Sequence, residues 1–176
     1  LTADLRGLIT NYPQRYVVCE ATAKPQDYAA PEVCGSAFAF GLERQIVLAA
    51  KGERKAIQAV ADYFTTAPPS MATFVANHDI FAGERLWDQL RGNRAQYKLA
   101  AASYLLQPGT PFIYYGEEIG MAGIKGLPSD GPLRAPMRWT AERQRGGFTT
   151  GTPFRPASPN AARYNVAAQL ADPKSL

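Results

Sequence analysis

The sequence is poor in the residue types that build metal clusters and disulfide frameworks. Among its 176 residues are two cysteines, Cys19 and Cys34, and a single histidine, His78. Two cysteines exclude a disulfide-rich scaffold and a four-cysteine zinc site. One histidine excludes a multi-histidine metal site formed within this chain. We therefore expect this chain to hold no metal and no cofactor.

Charged residues and long apolar runs are also scarce. Charged residues make up 19 % of the sequence, below the roughly 25 % of soluble domains. The net charge is +4, but the basic residues are scattered, and the densest group, Lys51, Arg54 and Lys55, is interrupted by Glu53. A basic stripe and a nucleic-acid-binding motif are both missing, so we expect no nucleic-acid partner. The apolar runs are far shorter than the ~20 residues of a membrane span, so we expect no membrane partner either.

What is present favours a packed α/β protein. Four short, apolar, β-rich runs alternate with stretches of helical periodicity. The runs are 16–20, 35–40, 72–77 and 111–115, and the helical stretches are 2–10, 42–67 with a break at 51–53, 93–106 and 160–170. This alternation predicts parallel βαβ units, in a doubly wound sheet or a (β/α)8 barrel.

Residues 116–160 form a long segment rich in glycine and proline. Its apolar side chains, such as Met121 and Trp139, need a surface to pack on, so we expect an excursion over one face of the scaffold. Four strands amount to half of a (β/α)8 barrel, which takes ~250 residues. A half-barrel leaves two edges unpaired, which predicts a partner: the missing half-barrel or a second copy of the chain. The first residue, Leu1, also suggests a piece cut from a longer protein.

Two acidic groups follow the predicted strands. Glu20 ends the first run, and Asn77, His78 and Asp79 end the third. In a parallel barrel the working residues lie at the carboxyl ends of the strands, so one mouth would hold both carboxylates. Paired carboxylates of this kind carry out acid–base and nucleophilic chemistry on glycosidic bonds.

Four segments resemble one enzyme family, in the order in which that family carries them. Residues 74–79 resemble the F-x-x-N-H-D signature of the α-amylase family, glycoside hydrolase family 13, and residues 132–139 resemble its R-x-P-M-x-W segment. Residues 106–121 resemble its eighth strand and the following loop, and residues 16–20 its fifth strand. The resemblance implies that residues 1–176 are the C-terminal half of a (β/α)8 barrel, strands five to eight with a long loop after strand eight.

The resemblance also implies roles for single residues. Glu20 would be the general acid/base, and Asp79 would bind sugar hydroxyls and stabilise the transition state. His78 would hydrogen-bond the same sugar, with Asn77 as a further substrate-binding residue. Because adjacent strand residues point to opposite faces, His78 and Asp79 can face one sugar only if the backbone has left the strand, and Asn77 is a suitable place for that.

Other residues allow two interpretations each. Arg138 and Trp139 are assigned to outer sugar subsites, although Trp139 could equally serve to pack the long loop. Glu117 and Glu118 follow the eighth strand, where an anchoring Arg–carboxylate pair is favoured over catalysis.

The sequence departs from the family at the nucleophile. The family carries that aspartate in a G-F-R-x-D-A-type segment upstream of the acid/base, and nothing in this sequence matches it. We therefore expect the isolated chain to be inactive and its parent to be a retaining α-glucan or α-glucoside hydrolase acting on substrates such as maltooligosaccharides. The alternatives are a transglycosylase, such as a trehalose synthase or an amylosucrase-like enzyme, and a non-catalytic carbohydrate-binding module. Calcium could belong to the parent, for which a secreted or periplasmic location is favoured.

The two cysteines are expected to be free thiols. Cys19 falls near the end of one predicted strand and Cys34 just before the start of the next. For parallel strands rising ~3.3 Å per residue, this places them roughly 10 Å or more apart, beyond the reach of a disulfide.

Overall fold

The structure is a computed structural model that describes residues 2–142 and 144–176. The chain divides into two units. One, here called the sheet unit, holds the residues up to Phe74 together with Ala101–Phe112. The other, the loop unit, holds Val75–Ala100 and Ile113–Leu176.

The described part of the chain contains seven α-helices, two short strands and two turns of 3₁₀ helix. The helices are α1 (Thr2–Ile9), α2 (Pro25–Tyr28), α3 (Leu42–Ala50), α4 (Arg54–Thr66), α5 (Leu86–Gln89), α6 (Arg94–Leu105) and α7 (Val166–Leu170). The strands are β1 (Ala72–Thr73) and β2 (Thr110–Pro111), and the 3₁₀ turns are Ile80–Ala82 and Gly131–Leu133. None of the described helices is long and apolar enough to cross a bilayer.

The four predicted runs of the sheet unit lie side by side, in parallel and in chain order. Cys19 bridges to Ala37, Phe38 bridges to Ala72, and Ala72 of β1 pairs with Thr110 of β2. The parallel arrangement is therefore confirmed, but regular pairing covers one or two residues of each run rather than five. In the second run the cause is visible, because the Phe40 N–H bonds to the Phe38 carbonyl at 2.8 Å and turns the chain away.

Aromatic rings fill the space beside these runs. Phe38 stands edge-on to Phe112, with ring centroids 4.9 Å apart, and edge-on to Phe74 at 5.6 Å. Edge-to-face pairs at such distances add to the free energy of burial. The small residues Ala37 and Ala72 are completely buried where the runs approach each other.

The helical predictions are confirmed for most of the chain. The break expected at 51–53 lies between α3 and α4, where Gly52 has a φ of +92° that glycine adopts without strain. The stretch 160–170 becomes helical only at α7, because the Asn165 side chain caps that helix by accepting a hydrogen bond from the Ala168 N–H at 2.9 Å. The four-residue helices α2 and α5 were not predicted, since one turn is too short to show a period.

The long segment 116–160 is irregular but packed, as its apolar content predicts. Ile119, Met121 and Ala135 form a buried cluster with Val166 of α7 and Met137 packed against it. This cluster gives the loop unit an apolar centre of its own.

The expectation of free thiols is wrong, because Cys19 and Cys34 form a disulfide with a Cα–Cα distance of 6.0 Å. Cys19 pairs with Ala37, only three residues beyond Cys34. Between Cys34 and that position the chain turns at Gly35, whose φ is +80°. The expected separation assumed two straight strands, and this turn returns Cys34 to the level of Cys19.

Candidate active site

In the loop unit, His78 and Asp79 lie beyond the end of β1, in a bend of the chain. The Asn77 Oδ1 accepts a hydrogen bond from the Asp79 N–H at 2.8 Å and bends the backbone. His78 Nε2 then lies 3.4 Å from Asp79 Oδ1. Two neighbouring side chains that would diverge on a strand are thereby brought to the same side.

Arg134 ties this turn to a second aspartate. Its Nη2 donates to Asp79 Oδ1 at 3.0 Å and to Asp130 Oδ2 at 2.8 Å, and its Nε donates to the His78 carbonyl at 3.0 Å. We call His78, Asp79, Asp130 and Arg134 the Asp79 cluster. Asp79 keeps 24 % of its side chain exposed and His78 59 %, so both can meet a ligand from solvent.

Asp130 stabilises the cluster through both of its carboxylate oxygens. Its Oδ1 accepts a hydrogen bond from the Ile80 N–H at 2.9 Å, while its Oδ2 holds Arg134. The sequence analysis missed Asp130. Its i,i+4 spacing from Arg134 within the long segment was the available signal.

Glu20 belongs to the sheet unit and is exposed. It directly follows Cys19, the residue through which the first run pairs with the second. The Cys19 N–H donates to the Ser36 carbonyl at 2.9 Å, and the Cys19 carbonyl accepts from the Phe38 N–H at 3.0 Å. Glu20 thus stands at the carboxyl end of its run, as the sequence predicts.

The two residues assigned to outer subsites differ in their placement. Arg138 is completely buried, donates from Nη2 to the Glu142 carbonyl, and has no described hydrogen-bond partner for Nε or Nη1. This placement does not favour a direct contact between Arg138 and a sugar. Trp139 keeps 48 % of its surface exposed, while its carbonyl accepts from the Ala167 N–H at 3.0 Å. The structure is therefore compatible both with stacking of its ring on a sugar and with packing of the ring within the long segment.

A buried polar centre lies in the turn after residue 113. The Arg85 guanidinium sits over the rings of Tyr114 and Tyr115 and donates to the Leu133 carbonyl at 2.6 Å and the Tyr115 carbonyl at 2.6 Å. Glu117 accepts from the Tyr114 N–H at 3.2 Å through Oε2, and its Oε1 is buried without a described partner. Burial raises the pKa of Glu117 to about 8, although the Tyr114 N–H and the nearby Arg85 oppose the rise. The hydrogen bonds of Arg85 thus go to backbone carbonyls.

Within the described residues, no three or more His, Cys, Asp or Glu side chains are grouped so that they could hold a metal ion.

Parallel runs alternating with helices, with acidic groups following the runs, define an α/β protein. Residues 6–176 match the family model described as the alpha amylase catalytic domain. The chain belongs to the α-amylase family, as its motifs predict.

Relatives with different printed activities share this similarity. The trehalose synthase/amylase TreS of Mycolicibacterium smegmatis is 30 % identical over 219 residues, covering 97 % of this chain and 36 % of that protein. An oligo-1,6-glucosidase of Parageobacillus thermoglucosidasius is 30 % identical over 125 residues, covering 48 % of this chain and 22 % of that protein. Hydrolases and trehalose synthases are therefore both homologous to the chain, which spans about a third of the TreS length.

Solved structures agree in fold. The α-amylase from H. orenii superposes with a TM-score of 0.74 at 27 % identity, covering 98 % of this chain and 36 % of that one. The trehalulose synthase MutB from Pseudomonas mesoacidophila MX-45 gives a TM-score of 0.74 at 22 % identity, covering 99 % of this chain and 40 % of that one. The second similarity concerns the fold alone.

Proposed function

We propose that the chain forms the C-terminal half of the catalytic barrel of a retaining α-glucan or α-glucoside hydrolase. Glu20 is the general acid/base of this enzyme, and Asp79 stabilises the transition state. The observation that supports the proposal best is the Asp79 cluster, in which a partly exposed carboxylate is oriented by Arg134 beside His78. The membership of residues 6–176 in the α-amylase family supports it independently.

Glu20 acts twice in this reaction. As an acid it gives its proton to the glycosidic oxygen while the bond from that oxygen to the anomeric carbon breaks. A carboxylate nucleophile, supplied by a part of the enzyme outside this sequence, attacks the anomeric carbon and forms the glycosyl–enzyme ester. Glu20, now a base, takes a proton from water, which displaces the ester and restores the original configuration. An exposed glutamate at a strand end can exchange protons in both steps.

Asp79 acts on the sugar ring as positive charge develops at the anomeric carbon. Its carboxylate accepts hydrogen bonds from sugar hydroxyls and favours the distorted, oxocarbenium-like ring. Arg134 holds that carboxylate in one orientation, and His78 donates a further hydrogen bond to the sugar. Asn77 contributes through the turn that places both residues, and the ring of Trp139 stacks on a sugar further along the chain of an α-glucan.

Two variants of the enzyme that contains this chain test these roles. Glu20→Gln, which cannot donate or accept the proton, is expected to lower kcat on maltooligosaccharides by about 10²–10⁴-fold. Isothermal titration calorimetry should still show maltooligosaccharide binding by this variant. Glu118→Gln, at an exposed carboxylate, is the matched control and should keep wild-type turnover. Wild-type kcat in Glu20→Gln would refute the assignment.

A transglycosylase is the second candidate, favoured by the extent of the similarity. The TreS relative covers 97 % of this chain, and a trehalose synthase from Pimelobacter sp. covers 94 %, against 48 % for the oligo-1,6-glucosidase. Incubation of the enzyme with maltose separates the two candidates, because a hydrolase releases glucose whereas a trehalose synthase yields trehalose. The carboxylate chemistry of Glu20 and Asp79 serves both, and a module that only binds carbohydrate has no need of an acid.

A further inference from the structure

The Cys19–Cys34 disulfide lies immediately before the proposed acid/base. The two cysteines are 15 residues apart in sequence, and their Cα atoms are 6.0 Å apart. The bond closes the segment 20–33 into a loop whose first residue is Glu20. Each cysteine is also held by its backbone: Cys19 by its pairing with the second run, and Cys34 by a hydrogen bond from its N–H to the Tyr28 carbonyl at 3.1 Å.

The loop itself carries little regular structure to fix its start. Its helical part is the single turn α2, and residues 21–24 between Glu20 and that turn are neither helix nor strand. Glu20 is exposed, so packing does not restrain its side chain. Burial of Ala21 and Ala29 and a hydrogen bond from the Ser70 hydroxyl to the Ala29 carbonyl at 3.2 Å also hold the loop. The disulfide adds to these contacts a covalent restraint directly beside Glu20.

We propose that this disulfide is a positioning device for Glu20, so that the redox state of Cys19 and Cys34 sets the catalytic competence of the acid/base. The inference rests on the proposed function of Glu20. A general acid must lie within hydrogen-bond reach of its proton acceptor, and a misplacement of about 1 Å costs about a hundredfold in rate. Opening the disulfide removes the covalent tie between the two ends of the 20–33 loop and leaves the position of Glu20 to the weaker backbone pairing of Cys19.

Reduction of the Cys19–Cys34 disulfide requires a dithiol reductant. One thiolate of the dithiol attacks the Cys19 sulfur, which belongs to a half-buried residue, and the Cys34 thiolate leaves and takes up a proton. The second thiolate of the reductant then attacks the mixed disulfide and releases the Cys19 thiol. The protein gains two electrons and two protons, and the dithiol becomes a cyclic disulfide. Cys34 is only 2 % exposed, so attack at Cys19 is favoured.

The bond is checked by mass spectrometry on the full-length enzyme containing this chain. A glutamate-specific protease cuts after Glu20 and Glu32, which separates the peptide holding Cys19 from the peptide holding Cys34. Without reductant the two peptides should remain linked, and a dithiol should release them. Two separate peptides that carry alkylated thiols before any reduction would overturn the proposal.

The positioning role is checked by kinetics on the same enzyme. Dithiol treatment is expected to lower kcat on a maltooligosaccharide by about tenfold to a hundredfold, to leave KM within about twofold, and to move the alkaline limb of the kcat–pH profile. Reoxidation should restore all three. The double variant Cys19→Ala/Cys34→Ala, which has no disulfide, should start at the reduced value of kcat and not respond to the dithiol.

The outcomes separate this proposal from the function on which it rests. Unchanged kcat and pH profile in an enzyme whose two thiols are shown to be free would refute the positioning role alone. If Glu20→Gln also kept wild-type turnover, the function assigned to Glu20 would fail as well. Reversible reduction of the wild-type enzyme needs no substitution, so a double variant that did not fold would leave the test intact.

Discussion

At the scale of single residues, Arg134 explains how the candidate site is held. One guanidinium serves three acceptors, the carboxylates of Asp79 and Asp130 and the carbonyl of His78. Charge-assisted hydrogen bonds of this type are stronger than neutral ones, and the planar fork fixes their directions. The orientation of Asp79 therefore depends on a residue 55 positions away in sequence.

Replacing Arg134 should weaken catalysis without removing the carboxylates. Arg134→Ala leaves Asp79 and Asp130 without their shared cation, and kcat/KM should fall about tenfold to a hundredfold, the cost of losing charged hydrogen bonds. Arg134→Lys should recover only part of this loss, because a single ammonium cannot reach all three acceptors in the fork geometry. Steady-state kinetics on a maltooligosaccharide measure both variants, and full activity of Arg134→Ala would contradict the role.

Glu117 should make the stability of the protein depend on pH. Its pKa is raised from 4.5 to about 8 in the folded protein, so between these values the folded state holds a proton that the unfolded state has lost. The free energy of unfolding contributed by this group is fully present below pH 4.5 and lost as pH rises through 8, with a slope of at most about 1.4 kcal/mol per pH unit.

Urea unfolding followed by circular dichroism between pH 5 and pH 8 measures this slope. Glu117→Gln should flatten it, since the amide has no proton to lose, whereas Glu118→Gln, which removes only the smallest contribution to the raised pKa of Glu117, should leave most of the slope. Equal slopes in wild type and Glu117→Gln would show that Glu117 titrates normally in the folded protein.

At the scale of elements, the sequence predicts the order and parallel direction of the runs but not the length of their pairing. Hydrophobic periodicity reports which residues are buried, and it identifies α3, α4 and α6 nearly to their ends. It does not report where a backbone turns, so the bends after Phe38 and at Gly35 were missed, and with them the disulfide. Glu20 and Asp79 were predicted as site residues because they lie in short motifs, whereas Asp130 joins the Asp79 cluster only through tertiary contact.

Gly109, just before β2, should be the least replaceable glycine of the sheet unit. Its φ is +123°, and an added Cβ would lie 2.7 Å from the Met71 carbonyl oxygen. Gly109→Ala should lower the free energy of unfolding by about 2–4 kcal/mol, because backbone strain and a clash with backbone add together. Gly52→Ala is the control: φ is +92° with nothing within 4 Å, so strain alone acts, at about 1 kcal/mol. Chemical denaturation compares the two, and an equal loss would rule out the clash.

At the scale of the molecule, the chain spans about a third of the TreS relative, at 36 % of its length. The chemistry proposed for Glu20 and Asp79 needs a third carboxylate, which the motifs of this sequence do not supply. Activity is therefore a property expected of the enzyme that contains the chain.

The purified 176-residue chain is accordingly expected to show no glycosidase turnover. Without an attacking carboxylate the glycosyl–enzyme ester cannot form, and the rate should fall by orders of magnitude. A sensitive assay with an activated α-glucoside measures this, with the full-length enzyme at equal concentration as the control. Retaining hydrolysis by the chain alone would mean that one of its own aspartates serves as nucleophile.

β1 and the second run each have a neighbour on both sides, and this sets the order in which the sheet opens. The Ala72 N–H donates to the Ala37 carbonyl at 2.9 Å on one side, and on the other the Met71 carbonyl accepts from the Thr110 N–H at 2.9 Å. The Ala72 N–H lies between two inner runs, whereas the Cys19 N–H belongs to an outer run. The deuterium uptake of the Ala72 amide is therefore expected to lag behind that of Cys19. Local fluctuations should thus begin at the outer runs, beside Glu20, and reach the segment leading to Asp79 last.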